Sequence, residues 1–170
     1  DIQEIVSDRI LTEDLPVDAS GIYIVFGSSD VGSSTTNFCN PGIPNAPPHH
    51  GYFNYMGTDI KYAFIGNAAR CQTIAAPQFF GPDGRQLPTP NGNLAASMMA
   101  YVLDTLITNP KGNGWFDSND RENAEKCRGT FGQTYPTFSD ALANMKLGSR
   151  DFLIQQNWVN HEAGYCGLRI

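Results

Sequence analysis

Charge is scarce in this chain: Asp, Glu, Lys and Arg together make up 16% of its 170 residues, against about a quarter in an ordinary globular domain. What charge there is leans acidic, with 17 Asp+Glu against 11 Lys+Arg and a formal net charge of −6. No basic stripe exists to neutralise phosphates, which argues against nucleic acid or an anionic membrane surface as a partner. No apolar run approaches the roughly 18 residues needed to span a bilayer, so membrane insertion is not expected. None of the four cysteines forms a Cys-x-x-Cys pair, which argues against a zinc ribbon or a thioredoxin-type redox site. The chain has no Asn-x-Ser/Thr sequon and no basic-then-apolar leader at its start. N-glycosylation is therefore not expected, and any signal peptide is expected to have been removed already.

What is abundant is turn-forming: 17 Gly and 11 Pro imply that much of the chain is loop. Cys39, Cys71, Cys127 and Cys166 are an even set in a loop-rich, weakly charged chain, which fits two disulfides and an oxidising compartment better than four buried thiols. Three connectivities are open, and the expectation is Cys39–Cys71 with Cys127–Cys166. The length fits one domain with its own core.

Ile2, Ile5, Val6 and Ile10 recur at helical spacing, so residues 1–11 are expected to form a helix. GIYIVF (21–26), continuously apolar and β-branched, is expected as a buried strand, and IKYAFIG (60–66) as a second. Residues 28–51 and 75–92 are expected as long loops. The strongest helix is 93–108, between a capping Asn93 and Pro110. Leu94, Met98, Val102 and Leu106 form one apolar row, with Ala95, Met99, Leu103 and Ile107 beside it. Ser97, Tyr101, Asp104, Thr105 and Thr108 are left for the outer face. A helical turn is expected at 122–127 and a late strand at 151–159. The resulting class is α/β or α+β: a small mixed sheet including 21–26, 60–66 and 151–159, packed by one long amphipathic helix, with disulfide-tied loops.

Chemistry-bearing residues are few. His49 and His50 are neighbours in a proline-rich loop, where their side chains diverge rather than converge on a metal. GSSD (27–30) lacks the Gly-x-Ser-x-Gly elbow of a serine hydrolase. DSNDRENAEKC supplies Asp117, Asp120, Glu122 and Glu125, but Arg121 stands where a calcium loop wants an oxygen ligand, so a solvated loop is favoured. Asp117, Glu122, Glu125 and His50 remain weak metal candidates; no cofactor is expected. Trp115, Phe116, Tyr135 and Phe138 are aromatic faces able to stack on pyranose rings, although such residues are more often core. The first three are the candidates for a glycan-facing patch.

IYIVFGSSDV, KYAFIGN, PNGNLAASMM, TNPKGNGWFD, ENAEKCRGTFG and RDFLIQQNWVN…GYC occur in this order. Together they resemble the phosphate-induced protein 1 family, which includes the plant EXORDIUM proteins and microbial relatives. The resemblance runs from Ile22 to Cys166 and implies a secreted cell-wall or extracellular-matrix protein. Microbial relatives carry a His-Glu-x-x-Glu-like stretch before the Asn-Pro turn, reminiscent of zinc metallopeptidases. Its positions fall here on Tyr101, Val102 and Thr105, none of which completes a zinc set. Glu122 and Glu125 match the family pattern, so the scaffold of a site is expected without its ligands. The family also usually carries an upstream segment with a further strand, expected here to be processed away or to belong to a portion not represented, which leaves sheet backbone groups to be covered by a loop or paired with a strand of a neighbouring molecule. Three functions follow as expectations. The first is a non-catalytic matrix or cell-wall protein that partners polysaccharide or a matrix protein. The second is a self-assembling subunit, a homopolymer forming a fibre or sheath. The third is a hydrolase with a relocated metal or carboxylate site at Asp117, Glu122 and His50.

Overall fold

The computed structural model describes residues 1–31, 38, 49–67, 92–137 and 141–168, with the backbone alone for 92–94. Cys39, Cys71, Phe138 and the expected loop at 75–91 lie outside the described residues.

Helix α1 (Ile2–Leu11) opens with a capping box, Asp1 accepting from the Gln3 amide at 2.8 Å and Glu4 answering from the first turn. Strands β1 (Ile22–Phe26), β2 (His49–Tyr55) and β3 (Thr58–Ile65) form one mixed sheet in the order β1-β3-β2, β1 parallel and β2 antiparallel to β3. β2 falls at the end of the stretch expected to be loop. Its polar residues and Gly51 hide the pattern, and the strand is made by its hairpin. Met56 and Gly57 both take positive φ, +50° and +87°, the backbone of a two-residue turn matched to strand twist, and Asn54 Oδ1 accepts from the Gly57 amide at 3.0 Å.

β3 alternates between two cores with a period of two. Ile60, Tyr62 and Phe64 join Ile2, Val6 and Ile10 of α1, with Tyr23 and Phe53. Ala63 and Ile65 join helix α2 (Gly92–Thr108) through Tyr101, Val102 and Leu106. The sheet therefore lies between α1 and α2. The buried positions of α2 are not the expected pair of rows. Val102 and Leu106 are buried, but Ile107 is 73% exposed while Tyr101 and Thr105 are 5% and 0% exposed. The stripe runs through 98, 101, 102, 105 and 106, because the segment following the helix folds back over the face that was expected to be outer.

Helix α3 (Asn123–Lys126) fills the expected turn at 122–127. Beyond it lie three two-stranded ribbons: β4 (Tyr135–Pro136) with β5 (Leu142–Ala143), β6 (Met145–Leu147) with β7 (Arg150–Phe152), and β8 (Asn157–Val159) with β9 (Tyr165–Gly167). The expected strand at 151–159 is thus two strands, and neither belongs to the central sheet. Side-chain amides cause the break. Asn144 Oδ1 takes the Ile154 amide at 2.8 Å and its Nδ2 donates to the Ile154 carbonyl at 2.7 Å, standing where a neighbouring strand would. Gln155 Nε2 donates to the Ala124 carbonyl at 2.9 Å, and its Oε1 accepts from the Gly129 amide at 3.1 Å. No helix among the described residues is long and apolar enough to cross a membrane.

Candidate functional site

Asn109, the residue after helix α2, is 2% exposed, and every polar group of it is engaged. Its amide continues the helix to the Thr105 carbonyl at 2.7 Å. Its Oδ1 accepts from the Gly114 amide at 2.6 Å, and its Nδ2 donates to Glu122 Oε1 at 2.5 Å. Its carbonyl faces His50 Nε2 at 3.0 Å. Pro110 stops the helix, Gly112 takes φ +74°, and a Cβ on Gly114 would stand 2.3 Å from the Thr108 carbonyl oxygen. The Thr-Asn-Pro-Lys-Gly-Asn-Gly-Trp stretch therefore folds as a tight return over the helix end, its last residue donating to the Thr108 carbonyl at 3.0 Å.

Around this asparagine the structure gathers His50 from β2, Asp104 from α2 and Glu122 from the segment before α3. His50 Nε2 is 3.6 Å from Glu122 Oε1, with both side chains about one-seventh exposed. A carbonyl can only accept, so the contact with Asn109 places a proton on His50 Nε2, and that nitrogen has no lone pair for a metal or a substrate proton. Asp104 is the uncompensated member: its Oδ2 is buried with no hydrogen-bond partner. Burial first, and then the Glu122 carboxylate, push the Asp104 carboxyl up to about 6.

The positions expected to match a His-Glu-x-x-Glu-like stretch, Tyr101, Val102 and Thr105, do not offer a zinc set. Val102 is fully buried in the core and offers no donor atom. The Thr105 hydroxyl donates to the Val102 carbonyl at 3.0 Å. Tyr101 is buried rather than outward-facing, and its phenol lies 3.4 Å from an Arg128 nitrogen. Burial raises that phenol well above its ordinary value, outweighing Arg128, so it stays protonated. Glu125, which the sequence pairs with Glu122 as a remnant, holds Arg128 at 3.0 Å and accepts the Glu122 amide at 3.1 Å. Among the described residues no three His, Cys, Asp or Glu side chains converge as a metal site.

Asp117 is engaged apart from this cluster. Burial opposes its charge, but the Arg121 guanidinium, at 2.8 and 3.0 Å, and the amides of Arg121 and Asn119 hold the carboxyl down to about 2. Asp117 also faces Lys126 at 3.9 Å. That lysine lies 3.6 Å above the Trp158 ring and 5.9 Å from Trp115, a cation held between two indoles and a carboxylate. Of the glycan-patch candidates, Trp115 is half-buried in this arrangement, while Phe116 is 40% and Tyr135 38% exposed. Tyr135 is held by its hydroxyl, which donates to Asp151 at 2.8 Å. Cys127, which follows α3 and is fully buried, is bonded to Cys166 in β9 across 39 residues.

Asn109, Asp104 and Arg128 were not singled out as site residues from the sequence. An asparagine before proline reads as a helix stop, and only the folded return shows that its amide is the hinge of the cluster. The one usable signal is its position one turn beyond Thr105 on what proves to be the buried stripe.

The conserved region of phosphate-induced protein 1, taken as a family profile, matches residues 1–158. No curated protein gives a match, and no solved structure does.

Proposed function

The chain belongs to the phosphate-induced protein 1 family, and from that premise we propose that it is a secreted, non-catalytic protein of an extracellular matrix or cell wall. The observation that carries this reading is the use made of the helix-end cluster. His50 Nε2 donates to a carbonyl, Glu122 receives an asparagine amide, and Val102 and Thr105 offer nothing to a metal. A hydrolytic centre needs a base, a nucleophile or a Lewis acid free to act; His50 Nε2, Glu122 Oε1 and the Thr105 hydroxyl are committed to holding a turn, and Asp104 is the one carboxyl of the cluster left without a partner. The Cys127–Cys166 bond supports an oxidising compartment. Its partner is an extracellular polysaccharide or a matrix protein, met through the exposed rings of Phe116 and Tyr135.

The test is a co-sedimentation assay of the purified, unreduced protein on insoluble cell-wall polysaccharides, run beside peptide and glycoside hydrolysis assays. Binding that falls several-fold in Phe116→Ala or Tyr135→Ala, with no turnover, is the expected result. Turnover that disappears in Glu122→Gln would overturn the reading.

A further inference from the structure

The central sheet has two unlike edges. At the β2 strand, His50 meets the Asn109 carbonyl and Lys111 lies 5.4 Å from the Tyr52 ring centre while pairing with Asp59, so the return after α2 lies against it. At the other edge, among the described residues, β1 pairs with β3 alone. The Gly27 amide bonds to the Ile65 carbonyl at 2.9 Å, in step with the parallel register. The alternation of the ladder therefore turns the backbone groups of Ile22, Ile24 and Phe26 outward.

Two of the devices that blunt an exposed edge are missing from β1 itself. Ile22–Phe26 contains no proline and no charge, where edge strands ordinarily carry one or the other. A cleft of ≈ 510 Å³, mostly apolar, runs along this edge between α1 and the strand, with Ile5 and Leu15 among its walls. The wall beyond α1 is fixed, because the Tyr23 hydroxyl donates to the Pro16 carbonyl at 2.5 Å and accepts from the Asp18 amide at 3.0 Å. Phe26 and Ile5 are about half exposed beside it.

We propose that β1 pairs antiparallel with β1 of a second copy of this chain, joining two sheets into one of six strands. A two-fold axis through Ile24 sets Ile22 opposite Phe26 and Tyr23 opposite Val25. Every apolar side chain then meets another apolar one on the same face of the sheet. Charge permits the approach. The chain as a whole carries −6, yet β1 itself carries no charge, Arg9 beside it is paired with Asp14 at 3.0 Å, and Lys61 is bonded to the Ala19 carbonyl. A second copy therefore meets no like charge along the strand itself. An isologous contact uses the β1 edge of both partners and leaves the β2 edges outermost, so assembly closes at two copies instead of continuing into a polymer. This contact is independent of the matrix role proposed above.

Sedimentation equilibrium of the unreduced protein from about 5 to about 200 µM, the range suited to a small interface, is expected to show a monomer–dimer equilibrium. Ile24→Pro removes an outward amide without touching the β3 ladder, and Phe26→Lys places a charge on the edge. Each is expected to weaken dimerisation at least tenfold while the circular dichroism spectrum is kept, whereas Met56→Lys at the hairpin tip leaves it unchanged. Should Ile24→Pro fail to fold, Phe26→Lys decides alone. A strictly monomeric wild-type chain, assembly beyond two copies, or dimers that persist in the edge variants would each overturn the proposal.

Discussion

Replacing Asn109 by alanine tests whether the helix-end cluster is held together as described. The substitution removes the Nδ2 donor to Glu122 Oε1 at 2.5 Å and the Oδ1 acceptor of the Gly114 amide at 2.6 Å. A bond to a charged acceptor contributes about 1.5–3 kcal/mol, and the amide bond about 1 kcal/mol because Gly114 is open to water. The expected loss is about 3 kcal/mol, which for a chain of this size is about 6–12 °C in Tm. Asn109→Asp separates shape from chemistry. It keeps the acceptor for Gly114 but sets a second carboxylate against Glu122, so the new acid is held above its ordinary value. A raised folded-state value means that stability present in acid is lost as pH rises, so this variant is expected to be worst at pH 7.5 and to recover at lower pH. Thermal unfolding by circular dichroism, with the exposed Asn113→Ala as control, reads both. An Asn109→Ala shift no larger than that control, or an Asn109→Asp deficit independent of pH, would refute the reasoning.

Asp104→Asn is expected to stabilise the protein at pH 7.5 and to leave it little changed at pH 4. The carboxyl raised to about 6 makes ionisation unfavourable in the fold, so stability falls as pH rises from near 4 through 6; an equal Tm shift at both pH values would count against this. The double variant Cys127→Ala/Cys166→Ala opens a loop of 39 residues and is expected to cost about 4 kcal/mol by the loop-entropy relation, read as the lowered midpoint of denaturant unfolding without reductant. A midpoint equal to that of the oxidised wild type would rule this out. Lys126→Met keeps the stem but removes the cation 3.6 Å above Trp158. A loss of about 1 kcal/mol and a changed tryptophan emission are expected, and unaltered emission would show that the contact does not persist in solution.

Much of the sheet region was legible in the sequence, because apolar continuity in GIYIVF and IKYAFIG marks strands whatever surrounds them. The apolar run expected as a helix over 93–108 was equally plain, although the helix begins at Gly92 and so takes the expected cap Asn93 inside it. Its buried face was not, because Tyr101 and Thr105 are covered by a return that only Asn109 and Gly114 make possible. The expected strand at 151–159 failed for a related reason. Its apolar pattern is continuous, but Asn144 and Gln155 bind the backbone by side-chain amides, and composition does not reveal which amides do so. β2 was hidden by histidines, glycine and asparagine in place of β-branched residues. At the candidate site the identities of Tyr101, Val102 and Thr105 are plain in the sequence, but their burial is not. That His50 lies beside Glu122 is a long-range contact between a strand and a segment more than seventy residues later, which no local pattern reports.

The bond between Cys127 and Cys166 closes a covalent ring, and the β6–β7 turn lies inside it. That turn presents Gly148 at φ +61° beside an exposed Leu147, the kind of exposed tip at which proteases cut. A single cut there leaves one molecule of unchanged mass apart from the added water, its two fragments still joined through Cys127 and Cys166. Cleavage is then invisible on a non-reducing gel and appears as two fragments once thiol is added. The protein can carry a broken backbone through that ribbon and still keep its parts together.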